Sequence, residues 1–413
     1  MEELKEGWRR VKLGEVAEYI SNKINTSELN ENNYISTENM IVNRGGVTKA
    51  TNIPQNAKVN CFSENDILFS NIRTYFKKLW KADFNGGASN DVLIIRSLNS
   101  KNILNDYLYY IMSEEKFFDY TVNTSKGTKM PRGDKAAIMQ YEFYIPEDIK
   151  VQQKIASILS ALDDKIELNN EMNKTLEEMA QTLFKRWFID FDFPNENGEP
   201  YRSSGGKMVE SELGEIPEGW SFDNISEFFD ITIGKTPPRK ETQWFSKKEK
   251  DIKWASIKDL GEAGVYILNT GEKITREAIE KFNIKKVESN TVILSFKLTI
   301  GRVVITNEAM ATNEAIAHFT NKNITNMTEF LYLYLKNFNY NSLGNTSSIA
   351  TAVNSKIIKN IPFYLPNEKL MSKFNEIITK IFEQIRENQQ EIQVLTEIRD
   401  ILLPKLMSGE IEV

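Results

Sequence analysis

FYIPEDIKVQQKIASIL (143–159) and FYLPNEKLMSKFNEII (363–378) are two versions of one segment, 220 residues apart. Each begins as a short aromatic strand that a proline ends, since proline cannot continue a hydrogen-bonded ladder. Each then loses Gly and Pro and takes up the three-and-four spacing of apolar residues that marks a helix. Working outward, Glu6-Gly7-Trp8 recurs as Glu218-Gly219-Trp220, DILFSNIRTYFKKLW (66–80) as VILSFKLTIGRVVI (292–305), and GGASNDVLII (86–95) as AMATNEAIAHF (309–319). Four matching blocks in one order, at shifts of 212 to about 225, mean that the chain holds two copies of a unit of roughly 200 residues. A period that long is outside the range of solenoid repeats.

Each copy has two parts. Short β-branched or aromatic runs bounded by Gly, Asn and Pro turns, such as Asp91–Ile95 and Thr291–Leu294, predict a curved, mainly antiparallel α/β domain over 1–148 and again over 216–366. Helices are expected within them at Asp106–Asp119 and Thr328–Asn337. The second part of each copy predicts a long helix, over 149–190 and over 367–413 including a C-terminal tail. Its seam would use Ile155, Ile158, Leu162, Ile166, Leu176, Met179, Leu183 and Trp187 in one copy. In the other it would use Phe374, Ile377, Ile381, Ile385, Ile392, Leu395, Ile398 and Leu402. Such spacing over about five heptads describes a coiled coil, and related helices of one chain pair most simply as an antiparallel pair. Asn169 and Asn388 interrupt the two seams at equivalent positions and are expected to fix helix register, the usual role of a polar seam residue. Residues 191–215, within PNENGEPYRSSGGKMVESELGEIP (194–217), read as the linker between copies. The fold class expected is therefore α+β: two pseudo-symmetric α/β domains joined by two long helices in an antiparallel coiled coil.

Composition narrows the chemistry. The 413 residues hold 52 Lys and Arg against 58 Asp and Glu, a net charge of −6. One cysteine, Cys61, excludes an internal disulfide and multi-cysteine metal sites, and one histidine, His318, removes His-paired metal sites. No run approaches the ~20 apolar residues of a membrane span, and the charged N-terminus has no apolar leader core, so a cytoplasmic protein is expected. The acidic excess is uneven. Residues 1–150 hold 20 cations and 20 acids and 211–370 hold 20 and 19, whereas 151–210 hold 7 and 11 and 371–413 hold 5 and 8.

No catalytic motif emerges. Gly234-Lys235-Thr236 ends like a phosphate-binding loop, but Phe229 stands where its first glycine belongs and Pro237-Pro238 follow where its helix should begin. Asp148-Ile149-Lys150 contains an acid-x-Lys step of a kind metal-dependent nucleases use. Its place at a helix start favours the simpler role of an acid complementing the helix dipole. His318 and Cys61 lie on strand-like segments and read as packing residues.

The positive signal is basic residues interleaved with aromatic and small polar ones. Asn71, Arg73, Thr74, Tyr75, Lys77 and Lys78 form one such segment, and Lys126, Gly127, Thr128, Lys129 and Arg132 a Gly-rich basic loop whose backbone amides could approach phosphates. In the second copy Lys235, Thr236, Arg239 and Lys240 form a third, with Lys258 beyond, and Lys297 and Arg302 flank the turn that aligns with Asn71–Phe76. Arg or Lys can bond guanine edges, and Asn or Gln adenine edges, while Lys and amides hold phosphates.

Several of these stretches carry a resemblance. LFKRWFIDFDFP (183–194) and LLPKLMSGEIEV (402–413) resemble the endings of the two conserved regions of type I restriction–modification specificity subunits. GKTPPRKETQWF (234–245) with IKWASIKDL (252–260), VILSFKLTIGRVVI with AMATNEAIAHF, and NIRTYFKKLW (71–80) with GGASNDVLII resemble that family's target-recognition domains. The resemblance spans essentially the whole chain. It departs in the first copy, where Ser21-Asn22-Lys23-Ile24-Asn25 replaces a Gly-Thr-Pro-like turn.

The resemblance implies a non-catalytic reader of double-stranded DNA in a bacterium or archaeon, each domain reading half of a bipartite, asymmetric target. The paired helices would set the spacer and dock two methylation subunits, which carry S-adenosylmethionine and methylate adenine. Restriction subunits using ATP and Mg would cleave unmodified DNA. No cofactor is expected on this chain itself. Two other readings stand beside it: a coiled-coil protein–protein scaffold with two binding modules, and a nuclease built on Asp148–Lys150.

Overall fold

The computed structural model describes residues 6–211, 214–322, 325–343 and 354–413. The chain divides into two compact units, residues 1–165 with 394–413 and residues 166–393. The boundaries therefore fall inside the long helices, Ile149–Phe184 and Glu368–Met407, so each unit holds one α/β domain and parts of both helices.

In the first unit a four-stranded antiparallel sheet runs in the order Ala17–Tyr19, Val92–Ser97, Ile67–Ser70, Leu79–Lys81. Its central strands are buried on both faces, which explains their continuous apolar runs. Ile67, Phe69, Leu93 and Ile95 face a core shared with helices, while Leu68, Val92 and Ile94 face a cluster holding Phe62 and Ala88 of a second sheet. Period-two side-chain alternation places successive residues in these two layers. The second sheet runs Lys23–Asn25, Lys58–Phe62, Gly86–Ala88, Tyr34–Ile35, its last pair parallel. Trp8–Lys12 pairs with Glu142–Pro146. The helix expected at Asp106–Asp119 is two, Asn105–Ser113 and Glu115–Asn123, because Glu114 is extended (ψ 145°).

The second unit repeats this plan. Phe229–Ile233, Ile316–Asn321, Val292–Ser295 and Val303–Thr306 take the same order, with Tyr266–Ile267 added in parallel at the edge. Val292 and Leu294 face one core and Ile293 the other. Met310–Thr312 pairs in parallel with Ile252–Ala255 and antiparallel with Lys286–Val287. Thr328–Asn337 is helical as expected.

The long helices run antiparallel within each unit. In the second, Asn169 Nδ2 donates to Glu391 Oε2 (2.8 Å) and Asn388 Nδ2 to Asn173 Oδ1 (2.9 Å), so later residues of one helix meet earlier residues of the other. In the first, Arg399 reaches Asp163 at 2.8 Å. The seam differs from the expected one. Ile158, Met179, Ile377 and Ile398 are exposed, along with Leu168, Met172, Val394 and Ile401, while Leu159, Ile378 and Phe382 are buried beside Ile155, Phe374 and Ile385. A strict heptad reading drifts because these helices also pack against the α/β domains, which selects a different stripe.

Their ends lie in the cores. Trp187 and Phe188 enter the second unit's core, where Phe188 packs on Phe374 (4.7 Å), Phe330 (4.8 Å) and Trp220 (5.9 Å). Leu403, Leu406 and Met407 enter the first unit's core. The segment 191–215, expected as the linker between copies, is folded where described: Phe191 and Phe193 are buried against Trp220, and Met208–Ser211 pairs with Gly214–Pro217. Its apolar residues, scattered among polar ones, conceal that packing in a compositional reading. Residues 212 and 213 lie outside the described residues.

At the helix starts, Asp148 Oδ1 accepts from Lys150 N (2.9 Å) and Asn367 Oδ1 from Leu370 N (2.9 Å), equivalent caps in the two copies. Asp148 thus satisfies a helix N–H, the simpler role the sequence favoured for it over a nuclease carboxylate. No helix of the described residues is long and apolar enough to cross a membrane.

Candidate nucleic-acid interface

The two basic segments of the first copy meet. Arg73 N donates to Pro131 O (2.8 Å) and Gly133 N to Asn71 O (3.0 Å), tying the 71–78 turn to the 126–133 loop. Lys126 and Arg132 exchange backbone bonds (2.8 and 2.9 Å) that close the loop, and Gly127 turns it at φ +94°. A Cβ on Gly133 would lie 2.7 Å from Asn71 Oδ1, so a larger residue would force the buried Asn71 side chain to shift.

The cations there are not equivalent. Among the described residues Arg73 and Lys129 have no ion-pair partner, whereas Lys77 pairs with Glu115, Lys126 with Asp134, and Arg132 with Asp91 (3.3 Å). Lys78 Nζ donates to Thr37 O (2.6 Å), and burial holds its ammonium below the usual value against the opposing pull of Glu38. Thr128 is exposed, as is Tyr75, whose ring lies 4.7 Å from that of Phe76. Asn71 and Thr74 are buried, and Asn71 Oδ1 and Thr74 Oγ1 find no hydrogen-bond partner among the described residues.

The second copy repeats the underlying frame. Ser70 N donates to Lys78 O (3.0 Å) and Ser295 N to Arg302 O (3.0 Å), so Lys78 and Arg302 close equivalent hairpin tips. Arg302 donates to Ile257 O (2.6 Å) as Lys78 does to Thr37 O. The turns receiving them also match: Ser36 N donates to Asn39 Oδ1 (2.6 Å) and Ser256 N to Asp259 Oδ2 (2.7 Å). Lys78 and Arg302 are therefore clamps within each domain. Two Ser-x-x-Asx/Asp caps 220 residues apart were a signal of this in the sequence.

Other second-copy residues are also engaged. Arg239 forks onto Glu272 (2.7 and 2.9 Å) and lies over Phe245 (4.4 Å) and Trp254 (4.7 Å). Lys235 Nζ donates to Phe282 O (2.7 Å), Thr236 to Glu314, and Lys258 pairs with Glu262 (3.5 Å). Lys240 and Lys297 are exposed, with no ion-pair partner among the described residues. Lys297 lies 5.4 Å from the Phe296 ring. Gly234 belongs to a turn pressed on Thr312–Asn313, where a Cβ would lie 2.1 Å from Thr312 Oγ1, and no helix follows it. That is incompatible with a phosphate-binding loop.

Lys23, not singled out in the sequence, reaches Asn60 Oδ1 (2.7 Å) and Asn90 Oδ1 (3.2 Å), bridging the turn that departs from the family pattern to the Asn90 turn. The tip of the second hairpin is also unusual. Leu298 adopts φ +63° within a tight turn (Thr299 N to Lys297 O, 2.7 Å) and is 79 % exposed. A bulky residue there costs on the order of 1–3 kcal/mol.

His318 is inert in this setting. It is fully buried, with Thr312 Oγ1 2.6 Å from Nε2 and Thr232 Oγ1 3.0 Å from Nδ1, and desolvation lowers its pKa to about 4. Among the described residues no group of three or more His, Cys, Asp or Glu could hold a metal.

A two-copy α/β protein with antiparallel long helices, each domain presenting a hairpin tip edged with cations, is a defined class of architecture. The chain belongs to the family described as type I restriction modification DNA specificity domain, whose sequence model matches it twice, at residues 5–178 and 217–398. It is 26% identical to the type I restriction enzyme HindI specificity subunit of Haemophilus influenzae, over 98% of this chain and 99% of that one. It is 28% identical to the MjaIX specificity subunit of Methanocaldococcus jannaschii, over 75% of this chain and 70% of that one. The fold is similar to the crystal structure of a type I restriction–modification S subunit from M. genitalium, with a TM-score of 0.60, 14% identity, and 98% and 97% of the two chains covered.

Proposed function

We propose that this chain is the non-catalytic specificity subunit of a type I restriction–modification complex, each α/β domain reading one half of a bipartite, asymmetric DNA target. The observation that carries the proposal is the duplicated frame. Equivalent hairpin tips, clamped by Lys78 and Arg302, sit in two domains that each match a DNA specificity family. Two unlike readers in one chain suit two unlike half-sites.

Within that function the free cations are the phosphate and base contacts: Arg73 and Lys129 with Thr128 in the first domain, Lys240 and Lys297 in the second. Lys126, Arg132, Lys77, Lys258 and Arg239 now hold carboxylates, which DNA phosphates would displace or leave in place as positioning pairs. The exposed apolar residues of the long helices support docking of methylation subunits there. Two such subunits would bring S-adenosylmethionine and methylate adenine; restriction subunits would bring ATP and Mg. The complex would work in the cytoplasm of a bacterium or archaeon, and the helices would set the spacer.

The test is to purify the chain with its methylation subunits, map methylated adenines in the source genome, and measure binding to a duplex carrying the mapped site. Binding to one asymmetric bipartite sequence that weakens steeply with salt is expected, since phosphate neutralisation releases counterions. Binding to no DNA, or binding insensitive to salt, would leave a protein scaffold as the better account.

A further inference from the structure

We propose that the hairpin tips are wedges: Tyr75 with Phe76 in the first domain, and Leu298 in the second, enter the base stack of the half-site each domain reads. The inference rests on the DNA-reading function proposed above and adds a mechanical step to it, the local opening of the duplex by this chain itself.

Position supplies the first argument. The tips span the residues between Ser70 and Lys78 and between Ser295 and Arg302, the same place in both copies, and each is anchored at its base by a cation on an inner carbonyl. The two tip sequences share little, yet both present large apolar side chains to solvent: Tyr75 is 46 %, Phe76 37 % and Leu298 79 % exposed. The strands on either side are buried, so these side chains are held out of the core by the turn.

The turn itself is the second argument. Leu298 is at φ +63°, and Thr74–Phe76 lies between Arg73 at φ +49° and Lys77 at φ +52°. L-residues take this conformation at a cost, and such strain gathers where binding uses it. In the first copy the turn is also fixed from outside, by Asn43 N to Phe76 O and Arg44 N to Lys77 O, both 2.9 Å. There the turn also packs on the helix Glu115–Asn123, so its exposed apolar side chains are held in place before they meet a stack.

Charge complementarity names the occupant. Arg73, unpaired among the described residues, precedes Tyr75 and Phe76, and exposed Lys297 precedes Leu298. An apolar tip beside uncompensated cations fits a polyanion whose interior is apolar, which describes stacked bases between phosphates. Apolar side chains inserted at a base step unstack it and kink the duplex. A base that must leave the stack for methylation does so at lower cost beside a step already opened. An aromatic pair and an aliphatic residue do this differently: rings can stack on the exposed base, whereas leucine only separates.

The experiment uses the complex with methylation subunits on a duplex carrying the mapped target, with permanganate reading unstacked thymines. Binding is expected to raise thymine reactivity several-fold at a step in each half-site. Leu298→Ser should return one half to the level of free DNA, and Tyr75→Ser/Phe76→Ser the other, each weakening binding several-fold. Reactivity unchanged in both variants, or no reactive thymine in either half, would overturn the wedges while leaving sequence selection intact. Loss of methylation subunits from the variants with stacking unaltered would overturn them in favour of a protein-docking role. A wild-type complex that selects no sequence would refute the DNA-reading function, a separate outcome from any of these.

Discussion

His318 is the chain's single histidine, so its titration can be followed without assignment. Both ring nitrogens meet hydroxyls and burial lowers its pKa to about 4. The folded value lies below the unfolded one, near 6.5. The unfolded chain therefore takes the proton first, and this group's contribution is complete above pH 6.5 and falls toward pH 4, by about 3 kcal/mol. Proton NMR of the ring should show a midpoint near 4; a midpoint near 6.5 would mean a solvated imidazole. Arg73 and Arg239 invite a second comparison, because sequence treats them alike and structure does not. Arg73→Ala should weaken DNA binding and reduce the salt slope by about one unit if it holds a phosphate, with thermal stability unchanged. Arg239→Ala releases Glu272 and uncovers two rings, so a small loss of second-unit stability is expected, within ~1 kcal/mol for an exposed pair. Equal effects of both on binding, without any on melting, would contradict this division. Which residues were basic was legible in the chain. Which were already paired was not, because Glu272, Asp91 and Glu115 come from elements distant in sequence.

At the scale of elements, the antiparallel helix pair carries polar contacts at its seam in the second unit. Asn388 accepts from Gln384 (2.9 Å) while donating to Asn173, and both asparagines are buried. Replacing one partner leaves the other unsatisfied, costing about 1–3 kcal/mol, whereas replacing both with apolar residues is close to neutral. Urea unfolding should therefore show Asn388→Leu destabilised and Asn173→Leu/Asn388→Leu recovered; additive losses in the double variant would show that the amide pair is not the relevant contact. The interruption of both seams by Asn was readable from periodicity. The pairing was not: Asn169 meets Glu391, and Asn388 meets Asn173, so neither register residue finds its own repeat mate. Periodicity locates a stripe, but which side of it faces a neighbour depends on the domains the helix ends enter.

At the scale of the whole molecule, the helices start from one copy's recognition domain and finish in the core of the other's, as Phe188 and Leu406 do. If they set the distance between half-sites, removing four residues from both helices around Asn169 and Asn388 shortens the pair by about 6 Å. The accepted spacer should then shrink by about two base pairs. Methylated-base mapping of cells carrying the shortened chain checks this, and an unchanged spacer would assign the distance to some other part. The duplication, the fold class and the long helices were legible because each repeats a local pattern. The folded 191–211 stretch was not, since its burial depends on Trp220 and on a core assembled from both copies.

The exposed aliphatic residues of the long helices have a consequence for the cell. Leu168, Met179, Val394 and Ile401 are each half exposed or more while the chain is alone. Apolar side chains that a partner would cover stay open to solvent until it binds. If the proposed partners cover these residues, an unassembled copy would be the less protected one, and the amount of reader in the cell would follow the supply of those partners. On that proposal, a recognition subunit without its methylation partners would be lost before it directed anything to its site.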